Sequence, residues 1–220
     1  MRTVLIIGAS RGLGFEFARQ YLEAGDKVTA TVRRVRDAAP LTALGAKVLK
    51  YDSVKSPPGT LSRIAAQADI VIYNAGALAG TEISKPQTQA DFDKVMRTNV
   101  FGALRAIPVI APKLAKRKGK FVFLSSRMGS IGLMANGGRV IYRASKTALN
   151  AVVRAASLEF GPAGLTAVVF HPGWVKTDMG GSDADIDPVT SIGGMRRVIE
   201  KLKPADNGSF LNYDGKPLAW

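Results

Sequence analysis

The chain contains no cysteine. That excludes disulfides, thiolate zinc sites and a thiol nucleophile. Histidine is nearly absent: His171 stands alone, so a multi-histidine metal cage is excluded as well. Carboxylates are scarce. The 17 Asp and Glu face 31 Lys and Arg, a formal charge of +14, which raises the question of anionic partners. Long hydrophobic runs are missing, since Gly, Pro or charge interrupts every apolar stretch well before ~18 residues. The first apolar run, Val4 to Ile7, is far too short for a signal-peptide core, and a cytoplasmic protein is expected. There is no repeat and no low-complexity linker. At 220 residues, 46% of them hydrophobic, one domain spanning 1–220 is expected.

What is present is a regular alternation. Short β-branched runs at Val4–Ile7, Val28–Val32, Ala46–Tyr51, Asp69–Tyr73, Lys120–Leu124 and Leu165–Phe170 predict strands, with a short last one near Phe210. Helical spacing predicts helices at Gly12–Ala24, Leu61–Ala68, Gln89–Arg97, Val100–Lys116, Arg139–Phe160 and Val189–Leu202. Continuously apolar strands separated by helices imply α/β architecture. The form expected is a single Rossmann-type doubly wound parallel sheet with helices on both faces. Ligands of such sheets bind beyond the carboxyl ends of the strands, so the informative residues should follow strands.

Directly after the first strand comes Gly8-Ala9-Ser10-Arg11-Gly12-Leu13-Gly14. Glycines there permit a tight turn, and backbone N–H groups at a helix start suit a pyrophosphate. The spacing is GxxxGxG rather than GxGxxG. Later come Asn74-Ala75-Gly76 after the fourth strand, Tyr142-Arg143-Ala144-Ser145-Lys146 on a helix, and His171-Pro172-Gly173 after the sixth strand. In this order the four segments resemble the short-chain dehydrogenase/reductase family over nearly the whole chain. The end, from Asp178-Met179-Gly180-Gly181 to Tyr213-Asp214-Gly215, resembles its small C-factor-like carbonyl reductase branch. One departure is Ile7, where much of the family has a threonine supporting the turn, so another group must do that here.

The resemblance implies a nicotinamide cofactor on Gly8, Ser10, Arg11, Gly12, Leu13 and Gly14. After the second strand, relatives that bind NAD carry an acidic residue; this chain reads Arg33-Arg34. Two guanidinium groups suit a 2′-phosphate, and NADPH is expected. Asp52, followed by Ser53, ends the third strand near the place the family gives the adenine; a turn-forming Asp explains it equally well. Asn74, Ala75 and Gly76 leave room for backbone beside a ribose. The resemblance makes Pro172 and Gly173 cofactor-binding too, and Val175 and Thr177 match positions that contact the nicotinamide carboxamide, which implies transfer of the pro-S hydride. The Gly- and Asp-rich stretch after Asp178 resembles a short substrate lid, about 178–200, over an open pocket.

Tyr142 and Lys146 lie four apart and share a helix face. A nearby ammonium is expected to lower the phenol's pKa, making Tyr142 a general acid/base for a carbonyl oxygen. Ser126 ends the fifth strand, and the resemblance favours it over Ser125 as the group orienting that carbonyl; Ser130 is a weaker alternative. Asn99 matches an asparagine that binds a relay water in the family. His171 reads as a packed, hydrogen-bonded histidine. The expected function is thus NADPH-dependent reduction of an aldehyde or ketone, with a small-molecule carbonyl partner and no metal. The alternative is an NADP(H)-binding sensing or signalling protein. The basic clusters are scattered and lack interleaved aromatics, so no specific nucleic-acid or membrane partner is expected. Pairing of the helices near 100–116 and 139–160 would give a homodimer or homotetramer.

Overall fold

The computed structural model describes residues 1–220. Seven strands form one sheet: Thr3–Ile7 (β1), Lys27–Val32 (β2), Lys47–Lys50 (β3), Ile70–Tyr73 (β4), Lys120–Leu124 (β5), Thr166–His171 (β6) and Phe210–Asn212 (β7). Their order is β3-β2-β1-β4-β5-β6-β7, and every neighbouring pair is parallel. The helices are Gly12–Glu23 (α1), Ala39–Ala43 (α2), Ser62–Ala65 (α3), Gln89–Met96 (α4), Gly102–Lys116 (α5), Val140–Phe160 (α6) and Pro188–Lys201 (α7).

Strand pleating sorts the apolar side chains onto two faces. Leu5, Ile7, Val71, Tyr73, Phe121 and Phe123 pack with α3, α5 and α6 in a cluster of 24 buried residues. Val4, Ile6, Ala30, Ile72, Val122 and Phe170 pack with α1 and α7 in a cluster of 22. The near-equal sizes mean that neither face is left to solvent, as a parallel sheet requires. The chain leaves β1 outward to β3 and returns to β4 on the other side. That reversal opens a crevice at the carboxyl ends of β1 and β4.

Three local features go beyond the pattern. The short α2 follows Arg33–Asp37, where no helical spacing was legible. The helices near 89–97 and 100–116 are one continuous rod, joined by a π-helical turn over Arg97–Phe101. Pro108 and Pro112 sit inside α5 on its exposed side, where the carbonyls they leave unpaired can reach water.

Candidate active site

The turn after β1 is fixed by its neighbours on both sides. Gly8 adopts φ +89°, and its N–H donates to Thr31 Oγ1 at 3.0 Å. Ala9 N–H donates to the Thr31 carbonyl at 2.9 Å, and Asn74 Nδ2 to the Gly8 carbonyl at 2.6 Å. Thr31 on β2 therefore supplies the hydroxyl that Ile7 lacks. At Gly14 a Cβ would overlap the Gly8 carbonyl oxygen and come within 2.6 Å of Asn74 Nδ2 and 2.9 Å of Ala9 Cα. At Gly8 it would sit 2.9 Å from the Ala75 backbone. Helix α1 begins beyond Arg11 with no side chain capping its first N–H groups, which leaves them free for an anion.

Thr177 closes this floor, its Cγ2 lying 3.7 Å from where a Gly12 Cβ would be. Arg11 forms an ion pair with Asp178 across the same opening. Arg33 is exposed and unpaired, whereas Arg34 binds Asp37 at 3.0 Å. Asp52 is occupied as a turn former: its Oδ1 accepts from Val54 N–H at 2.8 Å and Lys55 N–H at 3.1 Å. Ser53 is buried, its hydroxyl turned towards Tyr73. Ser10 and Leu13 are half-buried in the turn.

Helix α6 carries Tyr142 and Lys146 on one face, both buried. Lys146 Nζ lies 5.6 Å from the Tyr142 ring centroid and donates to the Leu124 carbonyl at 2.8 Å. The effect on the phenol is opposite to the sequence expectation. Burial pushes Tyr142 up to about 12, and only the Ser126 hydroxyl and the Arg139 charge offset it. Lys146 is pushed down to about 8 by its own burial. The physical reason is that burial desolvates both groups and penalises the charged form of each.

Ser126 Oγ accepts from Met128 N–H at 3.1 Å and faces the Tyr142 phenol. Ser125 instead donates to Asn150 Oδ1 at 2.7 Å, and Ser130 to the Trp220 carbonyl at 3.1 Å, so both are committed elsewhere. Asn99 lies in the π-helical turn. Its Oδ1 accepts from Ala77 N–H at 2.7 Å; its Nδ2 donates to the Ala77 carbonyl and to Ser145 Oγ, each at 2.9 Å. The side chain thus clamps the segment after β4 onto α6. A Cβ on Gly76 would lie 3.7 Å from Lys146 Nζ, so the glycine floor and the Tyr–Lys face meet there.

The stretch after β6 is tied down rather than loose. Val175 bridges Ile186, Pro172 accepts from Ser191 Oγ at 2.5 Å, and Trp174 Nε1 donates to the Gly180 carbonyl at 2.8 Å. Gly173 takes φ +86°. The expected lid divides in two: residues 178–187 form a loop, while 188–200 belong to α7, whose Ile192, Met195 and Ile199 are core. His171 is packed, but its Nδ1 is buried without the expected hydrogen-bond partner; burial and the Arg127 charge push its pKa down to about 4.

The sequence did not point to the opposite wall. A cleft of about 790 Å³ is lined by Glu82, Arg127, Met128, Arg139, Arg143 and Trp174 among others; Ser126 and Tyr142 do not line it themselves, but Arg127 directly follows Ser126 and Arg143 directly follows Tyr142. Only the glycines between Ser126 and Tyr142 hinted at a loop there. A second cleft, about 570 Å³ between α1 and α7, shares no lining residue with the site.

This geometry defines a Rossmann-type dinucleotide site joined to a buried Ser–Tyr–Lys group. The family profile for "short chain dehydrogenase" matches residues 2–186, and the chain belongs to that family of oxidoreductases. It is 39% identical over 155 residues to C-signal of Myxococcus xanthus, covering 69% of this chain and 92% of that protein. In structure it resembles the carbonyl reductase Sniffer of D. melanogaster, with a TM-score of 0.92 and 31% identity over 100% of both chains. It also resembles an NADPH-bound carbonyl reductase from chicken fatty liver, with a TM-score of 0.87 and 31% identity over 100% of this chain and 99% of that one. No helix is long and apolar enough to cross a membrane.

Proposed function

We propose that the chain reduces an aldehyde or ketone to an alcohol with NADPH, Tyr142 donating the proton. The observation that carries this reading is the buried Tyr142 phenol, held neutral beside Ser126, one helical turn from Lys146 at the edge of the glycine floor. NADPH fits the residues present. Gly8, Gly12 and Gly14 leave no side chain over the turn, the start of α1 is uncapped, and Arg33 is an unpaired guanidinium after β2 where a 2′-phosphate would need one. Ser10, Arg11, Leu13, Asn74, Ala75, Gly76, Pro172, Gly173, Val175 and Thr177 would complete the cradle.

When bound, the nicotinamide supplies a hydride to the carbonyl carbon. Ser126 donates a hydrogen bond to the carbonyl oxygen and aligns it with Tyr142. Tyr142 then passes its proton to that oxygen, so carbon gains a hydride, oxygen gains a proton, and the product is the neutral alcohol. A phenol kept protonated by burial is in the form that reduction needs, which favours reduction over oxidation. Lys146 would hold the nicotinamide ribose, with its ammonium against the Leu124 carbonyl. The exposed Phe101 at the end of the π-helical turn, Leu104 on α5 and Leu158 on α6 suit pairing into a homodimer or homotetramer, which light scattering would measure.

The test is NADPH oxidation against aldehydes, ketones, diketones and quinones, with Tyr142→Phe as the comparison. Turnover should fall ~10²–10⁴-fold in the variant while NADPH binding is retained. Tight NADPH binding with no turnover on any carbonyl would transfer the reading to a sensing or signalling role. Equal affinity for NADH and NADPH would overturn the Arg33 assignment.

A further inference from the structure

The cleft lined by Arg127 and Arg143, the chain neighbours of Ser126 and Tyr142, is unusual in its charge. Arg127, Arg139 and Arg143 all line it, and Glu82 is the single carboxylate on its wall. Glu82 is held by Lys85 at 3.3 Å and so is partly neutralised. Arg143 is buried and spent: its Nε donates to the Gly138 carbonyl at 2.8 Å and its Nη2 to Asn136 Oδ1 at 2.9 Å, propping the loop before α6. Arg127 and Arg139 differ. Both are exposed, and neither makes an ion pair or a side-chain hydrogen bond within the protein.

Their positions tie them to the chemistry. Arg127 directly follows Ser126, and Arg139 stands one turn before Tyr142, close enough for its charge to act on the phenol. Arg139 is the left-handed residue, φ +54°, that precedes α6, and it lines the cleft. Trp174, half exposed, forms an apolar wall of the same cleft. A recess of about 790 Å³ is the size of a small-molecule site. Two unpaired guanidinium groups at its rim select an anion by charge-assisted, bidentate hydrogen bonding.

We infer that the substrate is a carbonyl compound bearing a carboxylate, an oxo acid whose carboxylate is held by Arg127 and Arg139 while its carbonyl meets Ser126 and Tyr142. This rests on the reductase reading and names its substrate class. Trp174 would cover the substrate's apolar body.

The test compares 4-carboxybenzaldehyde with its methyl ester, which carries the same aldehyde without the charge. With NADPH, kcat/KM should favour the acid by about 10-fold or more, the preference shrinking as salt is raised. Arg127→Gln and Arg139→Asn should each cut the acid-to-ester ratio several-fold; Asn accepts the left-handed backbone, and both side chains are unpaired, so the fold is not at risk. Calorimetry with the NADP⁺-saturated protein supplies a readout independent of turnover: the acid should bind, the ester weakly, and the variants should lose the difference. Equal turnover of acid and ester, with a ratio unchanged in the variants, overturns the inference and leaves the reductase reading intact. Selective binding of the acid, lost in the variants, without turnover of either supports the anion site and counts against the reductase reading, which the full carbonyl panel decides. Failure of the acid to bind or to be preferred overturns the inference.

Discussion

At the glycine floor, backbone groups are held by buried or half-buried polar side chains: Gly8 N–H by Thr31 Oγ1, the Gly8 carbonyl by Asn74 Nδ2, Ala77 N–H by Asn99 Oδ1. At the wall between Glu82 and Arg143, side chains surround an open recess; Arg143, Glu82 and Trp174 are spent on internal bonds, while Arg127 and Arg139 are not. The floor tolerates almost no change in volume, because its neighbours are backbone atoms that cannot move aside. At the wall, the exposed Arg127 and Arg139 can change without loss of an internal bond, whereas Arg143 and Gly80 cannot be changed freely. A common cofactor and a particular substrate would place these two demands on one cleft.

The largest expected effect that would break this contrast lies at the floor. Gly14→Ala forces a Cβ into the Gly8 carbonyl and Asn74. It should destabilise the protein by about 2–4 kcal/mol in urea unfolding and weaken NADPH binding by ~100-fold or more. At the wall, Gly137→Ala meets only the exposed Ile83 at 3.2 Å. It should shift stability by no more than about 0.5 kcal/mol. Comparable losses at both positions would erase the distinction.

Next in size is the pH profile where floor and wall meet. Lys146 is charged below about 8 and neutral above it. If its ammonium holds the cofactor, kcat/KM should be level at neutral pH and fall ~10-fold per unit above about 8. Lys146→Arg should remove that fall, and a profile that rises through pH 8 would refute the role. The unfolded chain keeps the lysine proton to a higher pH, so stability itself should rise between about 8 and the ordinary lysine value. Loss of activity above pH 8 would therefore not come from unfolding at this site.

An effect on stability alone, confined to acid pH, is expected at His171. Its pKa is about 4 in the folded chain and 6.5 in the unfolded one. The unfolded state thus binds the proton first, and stability is full above pH 6.5 and declines as pH falls towards 4. His171→Gln should remove about 2–3 kcal/mol of that acid-side decline, read as the difference between the two urea series at pH 4 and pH 7. Identical slopes would mean that Nδ1 finds a partner in solution.

Strand and helix positions were legible because parallel strands buried on both faces must be apolar throughout. The runs 4–7 and 120–124 lie within observed strands, and the run 165–170 overlaps the strand Thr166–His171 with one residue's offset at each end. The π-helical turn at 97–101 was not legible, since an extra residue in a helix leaves the apolar spacing almost unchanged. Thr31 as support for the glycine turn was hidden too, because it comes from a neighbouring strand 23 residues away. The choice among Ser125, Ser126 and Ser130 rested on resemblance; the structure assigns two of the three to other partners.

By itself the sequence determined the sheet, the glycine turn and the Tyr142–Lys146 face, since each depends on local spacing along the chain. Only the tertiary structure decided the ionisation of that pair, because desolvation depends on what packs around a group and not on its neighbours in sequence. It also decided that Arg127 and Arg139, 12 residues apart in sequence, share one cleft while Arg143 does not remain free to serve it. A charge becomes a site only when folding leaves it unpaired beside a cavity.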